Sequence, residues 1–403
     1  MSSVTLYSGT SWTMFAVFEG YNGWECMESV ASRLVKDVME SLLGLVSQYV
    51  PISAEHAEVG TGMFSVSDPD TEEPYSEAVD NTIKKAFVDL DYGIVHQSLN
   101  VALASDPPSP PAISRTLGPA LTGSSALLSF YDREAQELRV ALTGDSRAIL
   151  GRKARKGQKA STYEVHVLAE DQIWQNPNEQ ARLRALHPES FSSNTKLSVP
   201  TTRAFGLAAY KWGVGLQQRL HREFLGADPP PADVKTPPYL TAEPEIATIK
   251  VEPGDFLVLA SSGLWKSLTS EEVVGLVGLW IDKEMNVINT DLDVPSFAPT
   301  RRFGEDTSEG LSTFEPEDLP VVLGRKDETV MYTRWRTQKK FVCVDNNAAA
   351  HVARNALGGA DEDLLTALMV MQPPRAGKFR FVSIAVSVFM ALRTDSGTVI
   401  GMI

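Results

Sequence analysis

A change in the spacing of apolar residues restricts the fold of this chain more than any other feature. Between residues 24 and 49, apolar side chains such as Val30, Leu34 and Val38 recur at steps of four, which is typical of an amphipathic helix. From Ala126 onward the spacing becomes two, which predicts short strands with alternating faces. Because helices and strands form groups instead of alternating regularly, the pattern predicts an α+β fold and argues against a parallel doubly wound sheet.

The same spacing places the individual elements. Strands are predicted at residues 12–18, 126–131, 138–143, 148–151, 164–168, 246–251, 256–260 and 382–388, and helices at residues 24–49, 76–99, 178–186, 270–281, 348–357 and 362–371. Turns at Asp132-Arg133, Gly144-Asp145 and Pro253-Gly254-Asp255 predict hairpins between the strands on either side. Polar or proline-rich composition predicts loops at residues 51–75, 104–119 and 227–238. The polar segment 287–328 predicts an inserted loop within a single domain over residues 1–403.

Composition and charge narrow the range of functions. Apolar residues make up 43% of the chain and charged residues 22%, which is globular composition and excludes wholesale disorder. The net charge of −14 opposes binding to a polyanionic backbone, so we expect no nucleic-acid partner. No apolar run reaches the roughly 18 residues that cross a bilayer, so we expect no membrane span.

Two further features bear on the compartment. The chain has only two cysteines, Cys26 and Cys343, which excludes a disulfide framework and favours reducing conditions. Residues 1–13 show neither the basic and apolar regions of a signal peptide nor the arginines of a transit peptide. We therefore expect an intracellular protein, cytoplasmic or mitochondrial, with no visible targeting segment.

Seven short segments carry a resemblance to a known family. They are Phe-Ala-Val-Phe-Glu-Gly-Tyr-Asn-Gly (15–23), Leu-Thr-Gly-Asp-Ser-Arg (142–147), Leu-Ala-Glu-Asp-Gln (168–172), Thr-Arg-Ala-Phe-Gly (202–206), Pro-Tyr-Leu-Thr-Ala-Glu-Pro-Glu (238–245), Phe-Leu-Val-Leu-Ala-Ser-Ser-Gly-Leu-Trp (256–265) and Asn-Ala-Leu-Gly-Gly (355–359). In this order they resemble the PPM family of metal-dependent Ser/Thr phosphatases (type 2C), and within it the fungal pyruvate dehydrogenase phosphatase-like branch. The resemblance implies an α-β-β-α sandwich, in which two antiparallel sheets pack face to face and helices cover both outer faces.

The resemblance also implies a catalytic centre in which aspartates hold two divalent metals that activate a water molecule. The first of these aspartates lies in an Asp-Gly-His-x-Gly turn, which here reads Glu19-Gly20-Tyr21-Asn22-Gly23. Glutamate keeps the charge but moves it by roughly 1.5 Å. Tyr21 replaces the histidine and is a poor proton donor near neutral pH, because the unperturbed pKa of tyrosine is about 10.

The other metal-binding aspartates are absent at the corresponding positions. The family's Ser-Asp-Gly-Leu-Trp-Asp/Glu run has become Ser261 to Lys266, so that Ser262 replaces an aspartate and Lys266 adds a positive charge. Alignment of the last strand places Val382 at the third ligand position. The family's N-terminal strand, with its phosphate-binding arginine and Glu-Asp pair, has no predicted counterpart before Trp12, and its Gly-Asp pair has become Gly206-Leu207.

These differences predict a degenerate metal site. Asp145 survives at a position that family members use for a further, weakly held metal, and Glu19, the Gly20 carbonyl and Asp145 are the residual metal candidates. Two carboxylates do not balance the four positive charges of two divalent ions. We therefore expect no cofactor, and weak Mn²⁺ or Mg²⁺ binding only if an active site persists. The structural alternative is that Glu19 and Asp145 simply order their turns.

Three functions remain open from the sequence. The first is a pseudophosphatase, catalytically impaired or inactive, that binds a protein partner such as a kinase, a phosphatase or a phosphoprotein, with segments 287–328 and 227–238 as candidate contact surfaces. The second is a metal-dependent Ser/Thr phosphatase with a degenerate metal site. The third is a cleft repurposed for a metal-free reaction, with Glu19, Tyr21 and Lys266 as acid–base candidates. For Arg147 and Arg203 we expect structural ion pairs, and Lys266 either pairs with Glu19 or Asp145 or points to solvent.

Overall fold

A computed structural model describes residues 2–8, 12–49, 75–104, 109–154, 162–187, 199–225, 235–290, 312–324, 326–372, 384–394 and 397–402. The strands are β1 (Ser2–Ser8), β2 (Trp12–Tyr21), β3 (Gly123–Asp132), β4 (Glu137–Thr143), β5 (Arg147–Lys153), β6 (Tyr163–Ala169), β7 (Phe205–Gly206), β8 (Glu245–Lys250), β9 (Phe256–Ala260), β10 (Thr313–Phe314), β11 (Phe341–Val342), β12 (Val386–Thr394) and β13 (Gly397–Met402). The helices are α1 (Glu25–Ala31), α2 (Leu34–Tyr49), α3 (Tyr75–Tyr92), α4 (Ser98–Ala104), α5 (Pro110–Leu121), α6 (Pro177–Leu186), α7 (Val214–Leu220), α8 (Ser262–Trp265), α9 (Ser270–Thr290), α10 (Met331–Trp335), α11 (Ala348–Ala356) and α12 (Glu362–Val370).

Two antiparallel sheets form the centre of the fold. The first has the order β1-β2-β3-β4-β8, with the short β7 paired to β3. The second has the order β13-β12-β9-β5-β6. A small pair, β10-β11, stands apart from both sheets.

Alternate side chains of each strand face different layers of the fold. On β2, Met14, Ala16 and Phe18 pack against α1 to α5, whereas Phe15 and Val17 face the second sheet. On β9, Phe256 and Val258 pack against α9 and α11, whereas Leu257 and Leu259 face the first sheet. Helices therefore cover both outer faces of a sheet-on-sheet core, which confirms the predicted α+β sandwich of the α-β-β-α type.

Of the three predicted hairpins, the one at Asp132-Arg133 is confirmed, because β3 pairs with β4, and the other two are wrong. The strands on either side of Gly144-Asp145 belong to different sheets, because β4 pairs with β3 and β8 while β5 pairs with β6 and β9. The strands on either side of Pro253-Gly254-Asp255 are likewise in different sheets. Each turn carries the chain from one layer of the sandwich to the other.

Several elements were not predicted, and α5 and β1 bear most on the argument. Residues 110–119 of the expected loop 104–119 belong to α5, because Pro110 and Pro111 occupy its first turn, where a missing N–H costs nothing. A strand does precede Trp12: β1 pairs with β2 over its whole length, although it contains no arginine, glutamate or aspartate. The N-terminal strand position is therefore filled, without the charged residues that family members carry there.

The other predicted helices and loops differ from the structure in where they begin and end. The helix expected over 24–49 is two helices, α1 and α2, and the one over 76–99 continues through a π-helical turn (Gly93–Gln97) into α4. The expected loop 287–328 begins inside α9, and its described part from residue 312 contains β10. Residues 51–74, 226–234 and 291–311 and the site candidate Val382 lie outside the described residues. No helix in the described part of the chain is long and apolar enough to cross a bilayer.

Candidate functional site

Four of the candidate residues meet where the two sheets end on the same side. Glu19 and Tyr21 lie at the end of β2, Asp145 lies in the turn between β4 and β5, and Ser262 begins α8 directly after β9. All four are almost completely buried, with 1%, 8%, 5% and 5% exposure. We call these four residues the edge cluster.

Glu19 is held by the main chain at the start of α8, two residues after β9 of the second sheet. The Ser262 N–H donates a hydrogen bond of 3.0 Å to Glu19 Oε2. Burial raises the pKa of Glu19 to about 7, and the nearby Asp145 contributes to the rise, while Ser262 and the Lys266 ammonium oppose it. The contact joins strand ends of different sheets, so Glu19 helps to close this edge of the sandwich.

Asp145 is held by Tyr21. The Tyr21 hydroxyl donates a hydrogen bond to Asp145 Oδ1, and both groups are buried. Burial raises the pKa of Asp145, and the Tyr21 hydrogen bond and Lys266 oppose that rise. Burial and the two carboxyl groups, Asp145 and Glu19, raise the pKa of Tyr21 well above its usual value. Tyr21 therefore keeps its proton and acts as a donor to Asp145, not as a base.

Gln172 fixes the turn that carries Asp145, and the sequence reading missed this role. The Gly144 N–H donates to Gln172 Oε1 (2.8 Å), the Gln172 N–H donates to the Gly144 carbonyl (2.9 Å), and Gln172 Nε2 donates to the Leu142 carbonyl (3.0 Å). Gly144 has a φ of 120°, and a Cβ there would lie 2.4 Å from Ser125 Cβ. The only signal in the sequence is the position of Gln172 at the end of the 168–172 segment.

The two arginines of the motifs form ion pairs, as predicted. Arg147 Nε lies 2.8 Å from Asp171 Oδ1, and its guanidinium lies 4.9 Å from the centre of the Trp265 ring. Arg203 Nη2 lies 2.6 Å from Oε1 of the buried Glu179. Burial alone favours the neutral acid, but hydrogen bonds from Arg203 and Arg182 lower the pKa of Glu179 to about 2.

Lys266 brings a positive charge close to the edge cluster. It follows the last residue of α8 and is half-buried. Its ammonium lowers the pKa of both Glu19 and Asp145, so its charge acts on the carboxyl groups of the cluster. A fixed cation here offsets part of the negative charge that a metal ion would otherwise balance.

The edge cluster does not fit a two-metal centre. It offers two carboxyl groups, and the Tyr21 O–H and the Ser262 N–H direct the positive ends of their dipoles at those groups. A divalent ion binds to the lone pairs of several oxygen ligands, and N–H or O–H hydrogen atoms that point into its position repel it. Among the described residues, no group of three or more His, Cys, Asp or Glu side chains is placed to hold a metal. The Gly20 carbonyl adds one neutral ligand at most, in a turn so tight that a Cβ on Gly20 would lie 2.6 Å from the Gly23 oxygen.

Two helix-covered sheets, with the turns of Glu19–Gly23 and Gly144-Asp145 and the start of α8 meeting at one edge, form the α-β-β-α sandwich that the resemblance implied. The profile described as "Protein phosphatase 2C" matches residues 66–304, which is more than half of the chain. A protein phosphatase 2C homolog from Schizosaccharomyces pombe is 33% identical over 92% of this chain and 71% of that protein. The chain belongs to the protein phosphatase 2C family.

Other similarities include one further relative and one solved structure. Mitochondrial pyruvate dehydrogenase (acetyl-transferring) phosphatase 1 of Saccharomyces cerevisiae is 31% identical over 95% of this chain and 62% of that protein. The structure of serine-threonine phosphatase 2C from Toxoplasma gondii covers 72% of this chain and 84% of its own, at 15% identity and a TM-score of 0.44. The latter similarity is too low to add to the family assignment.

Proposed function

We propose that this chain is a pseudophosphatase, a member of its family that does not hydrolyse phosphate esters and that acts by binding a protein or phosphoprotein partner. The observation that carries the proposal is the hydrogen bonding within the edge cluster. Tyr21 and the Ser262 amide each donate a hydrogen bond to one of the two carboxyl groups, at positions where a catalytic centre needs lone pairs for metal ions.

The charge at the site supports the same conclusion. A water molecule attacks a phosphate ester efficiently only when fixed positive charge activates it and screens the phosphate. Here Lys266 is one positive charge beside two carboxyl groups, in place of the four positive charges that two divalent metals supply. The fold around the site is intact, which is what binding without chemistry requires.

Metal titration and a turnover assay test this proposal together. Calorimetry of the full chain with MnCl₂ is expected to show no saturable heat, and p-nitrophenyl phosphate is expected to remain uncleaved with Mn²⁺ or Mg²⁺. The matched control is Ser262→Asp, which places a third carboxyl group beside Glu19 and is expected to increase the heat of Mn²⁺ binding. Saturable micromolar Mn²⁺ binding with turnover in the unmodified chain contradicts the proposal.

A second candidate is a metal-dependent Ser/Thr phosphatase with a degenerate site. The observation that favours it is that Glu19 and Asp145 share one buried cluster, where two carboxylates and the Gly20 carbonyl provide ligands for a single ion. The relatives are named as phosphatases. Mn²⁺-dependent phosphate release that is lost in the double variant Glu19→Ala, Asp145→Ala supports this candidate over the first.

A further inference from the structure

The turn that follows the 202–206 segment holds a leucine in a backbone conformation that leucine rarely adopts. Leu207 has a φ of 48° and a ψ of 46°, in the left-handed helical region, and its side chain is buried. In this region the Cβ atom lies too close to the next carbonyl oxygen, so glycine, and occasionally asparagine or aspartate, are the residues that adopt it. Such a strained position persists only where the surrounding structure holds it.

Hydrogen bonds and a buried ion pair hold the turn formed by Gly206 and Leu207. The Leu207 N–H donates to the Thr122 carbonyl, and the Gly206 N–H donates to Asp91 Oδ1, each at 2.8 Å. Lys211 Nζ donates to Asp91 Oδ2 at 2.6 Å, and both side chains are buried. Because Asp91 belongs to α3 and Lys211 follows the turn, this pair fixes the turn against the helices that cover the first sheet.

The Leu207 side chain fills a space beside Tyr21. Gly123 of β3 pairs with Tyr21 of β2 and also with Gly206 of β7. A Cβ on Gly123 would lie 2.6 Å from Leu207 Cγ, so Leu207 occupies the place of the side chain that residue 123 lacks. Paired residues of neighbouring strands point to the same face, with Cβ atoms about 4.5–5.5 Å apart. Leu207 therefore lies on the face from which Tyr21 projects, and both belong to one buried apolar cluster.

The hydroxyl end of the Tyr21 ring is confined by the turn that carries Asp145. The hydroxyl donates to Asp145 Oδ1, and a Cβ on Gly144 would lie 3.1 Å from the hydroxyl oxygen. The space into which the ring could turn away from Asp145 includes the place that Leu207 fills. A smaller side chain at position 207 would leave a cavity there, and neighbouring side chains relax into such cavities.

We propose that Leu207 is a positioning residue, which holds the Tyr21 ring where its hydroxyl reaches Asp145 and thereby keeps that carboxyl group unavailable to a ligand. The Asp91–Lys211 pair and the Thr122 carbonyl hold the strained turn, and the turn places Leu207 beside the ring. The inference deepens the proposed function and rests on it, because the hydrogen bonding of the edge cluster is the observation from which the loss of hydrolysis was inferred.

Urea unfolding of single and double variants in EDTA tests this role. In the unmodified background, Tyr21→Phe is expected to raise the equilibrium constant of unfolding about 30-fold, because a buried hydrogen bond to a charged group is lost. In the Leu207→Ala background the same substitution is expected to raise it less than about threefold, because the ring no longer directs its hydroxyl to Asp145. Leu207→Met keeps an apolar side chain of similar volume and is expected to restore the full effect of Tyr21→Phe.

The matched control for the loss of leucine volume is Leu276→Ala. Leu276 is also fully buried, but it lies on α9, in the apolar cluster outside the second sheet. Substitutions that share no contacts are additive, so Tyr21→Phe is expected to keep its effect of about 30-fold in this background. An equal effect of Tyr21→Phe in the Leu207→Ala and Leu276→Ala backgrounds overturns the inference. So does a reduced effect in Leu207→Met.

The variant Leu207→Gly measures the strain separately from the packing. Glycine adopts the left-handed conformation without a steric penalty, so Leu207→Gly is expected to have an equilibrium constant of unfolding about tenfold below that of Leu207→Ala. An equal or higher constant contradicts the strained turn on which the inference depends. Because Leu207→Gly is expected to be the more stable variant, it replaces Leu207→Ala in the comparison with Tyr21→Phe if the alanine variant does not fold.

The absence of metal and substrate from these measurements separates the two proposals. Metal-dependent cleavage of p-nitrophenyl phosphate by the unmodified chain would show that the proposed loss of hydrolysis is wrong, while the dependence of the Tyr21→Phe effect on Leu207 would be decided by unfolding alone. If no cleavage occurs and the effect of Tyr21→Phe does not depend on Leu207, only the inference about Leu207 fails.

Discussion

The variant Tyr21→Phe measures how much the hydrogen bond from the Tyr21 hydroxyl to Asp145 contributes to the free energy of unfolding. In Tyr21→Phe, Asp145 loses the donor to one of its oxygens while it remains 5% exposed. A buried hydrogen bond to a charged group contributes about 1.5–3 kcal/mol, so we expect the free energy of unfolding to fall by about 2 kcal/mol at pH 7.5. That is a large share of the 5–15 kcal/mol that is typical of a folded domain.

Urea unfolding of Tyr21→Phe, compared with Tyr332→Phe, gives the test. Tyr332 is also buried, but its hydroxyl donates to the neutral Asn355 carbonyl, so its loss is expected to cost about 1 kcal/mol. Both measurements are made with EDTA and again with excess MnCl₂. A loss for Tyr21→Phe below that for Tyr332→Phe refutes the charged-acceptor argument. Stabilisation of either protein by Mn²⁺ refutes the conclusion that hydrogen bonds replace the metal, because a bound ion raises the free energy of unfolding.

Two further predictions concern buried titratable groups. Glu179→Gln is expected to cost about 3 kcal/mol at pH 7, because the folded pKa of Glu179 is about 2 against a usual 4.5 and each unit is worth about 1.4 kcal/mol. The depressed pKa means that this stability is present above pH 4.5 and lost as the pH falls toward 2, so the difference from the unmodified chain in urea unfolding should shrink over that range. His351 is fully buried and burial lowers its pKa from 6.5 to about 4, so the unfolded chain binds its proton first and stability should fall by up to about 3 kcal/mol between pH 6.5 and 4. His351→Leu should lack this acid-dependent loss, and an unchanged pH profile in that variant contradicts the prediction.

Local pattern identified most elements but not their partners. Short apolar stretches bounded by turn residues correctly predicted strands near β3, β4, β5 and β9, which are buried for most of their length between the two sheets and the helices. The same pattern says nothing about which strand lies alongside. The turns at Gly144 and Gly254 were therefore taken for hairpins, although each joins one sheet to the other.

Proline content was a misleading signal at α5. A high number of prolines suggests a loop, but the position of each proline decides whether the segment can form a helix. Pro110 and Pro111 stand in the first turn, where the backbone N–H groups have no helical partner, and the buried Ile113 and Leu117 lie four residues apart on one face. The apolar spacing of a helix was present in this segment, but the loop was predicted from its proline content.

At the edge cluster, the residue types followed from the sequence and the contacts did not. The exchange of acids for Ser262 and Lys266, and of a histidine for Tyr21, was visible in the motifs. The contact of Tyr21 with Asp145 joins residues 124 positions apart, and that of Ser262 with Glu19 joins residues 243 positions apart. The hydrogen bonds between Gln172 and the turn that carries Asp145 were likewise not predictable from the sequence.

The sequence alone indicated the family and the alternation of faces on each strand, and it predicted a site with few acids, because these inferences depend on residue type and local spacing. Only the tertiary structure decided which turns cross between the sheets, and that Asp145 and Glu19 accept hydrogen bonds from a tyrosine hydroxyl and a backbone amide. Hydrogen bonds and charges act over a few ångströms, and the packing of the two sheets sets those distances between parts of the chain that sequence order keeps far apart.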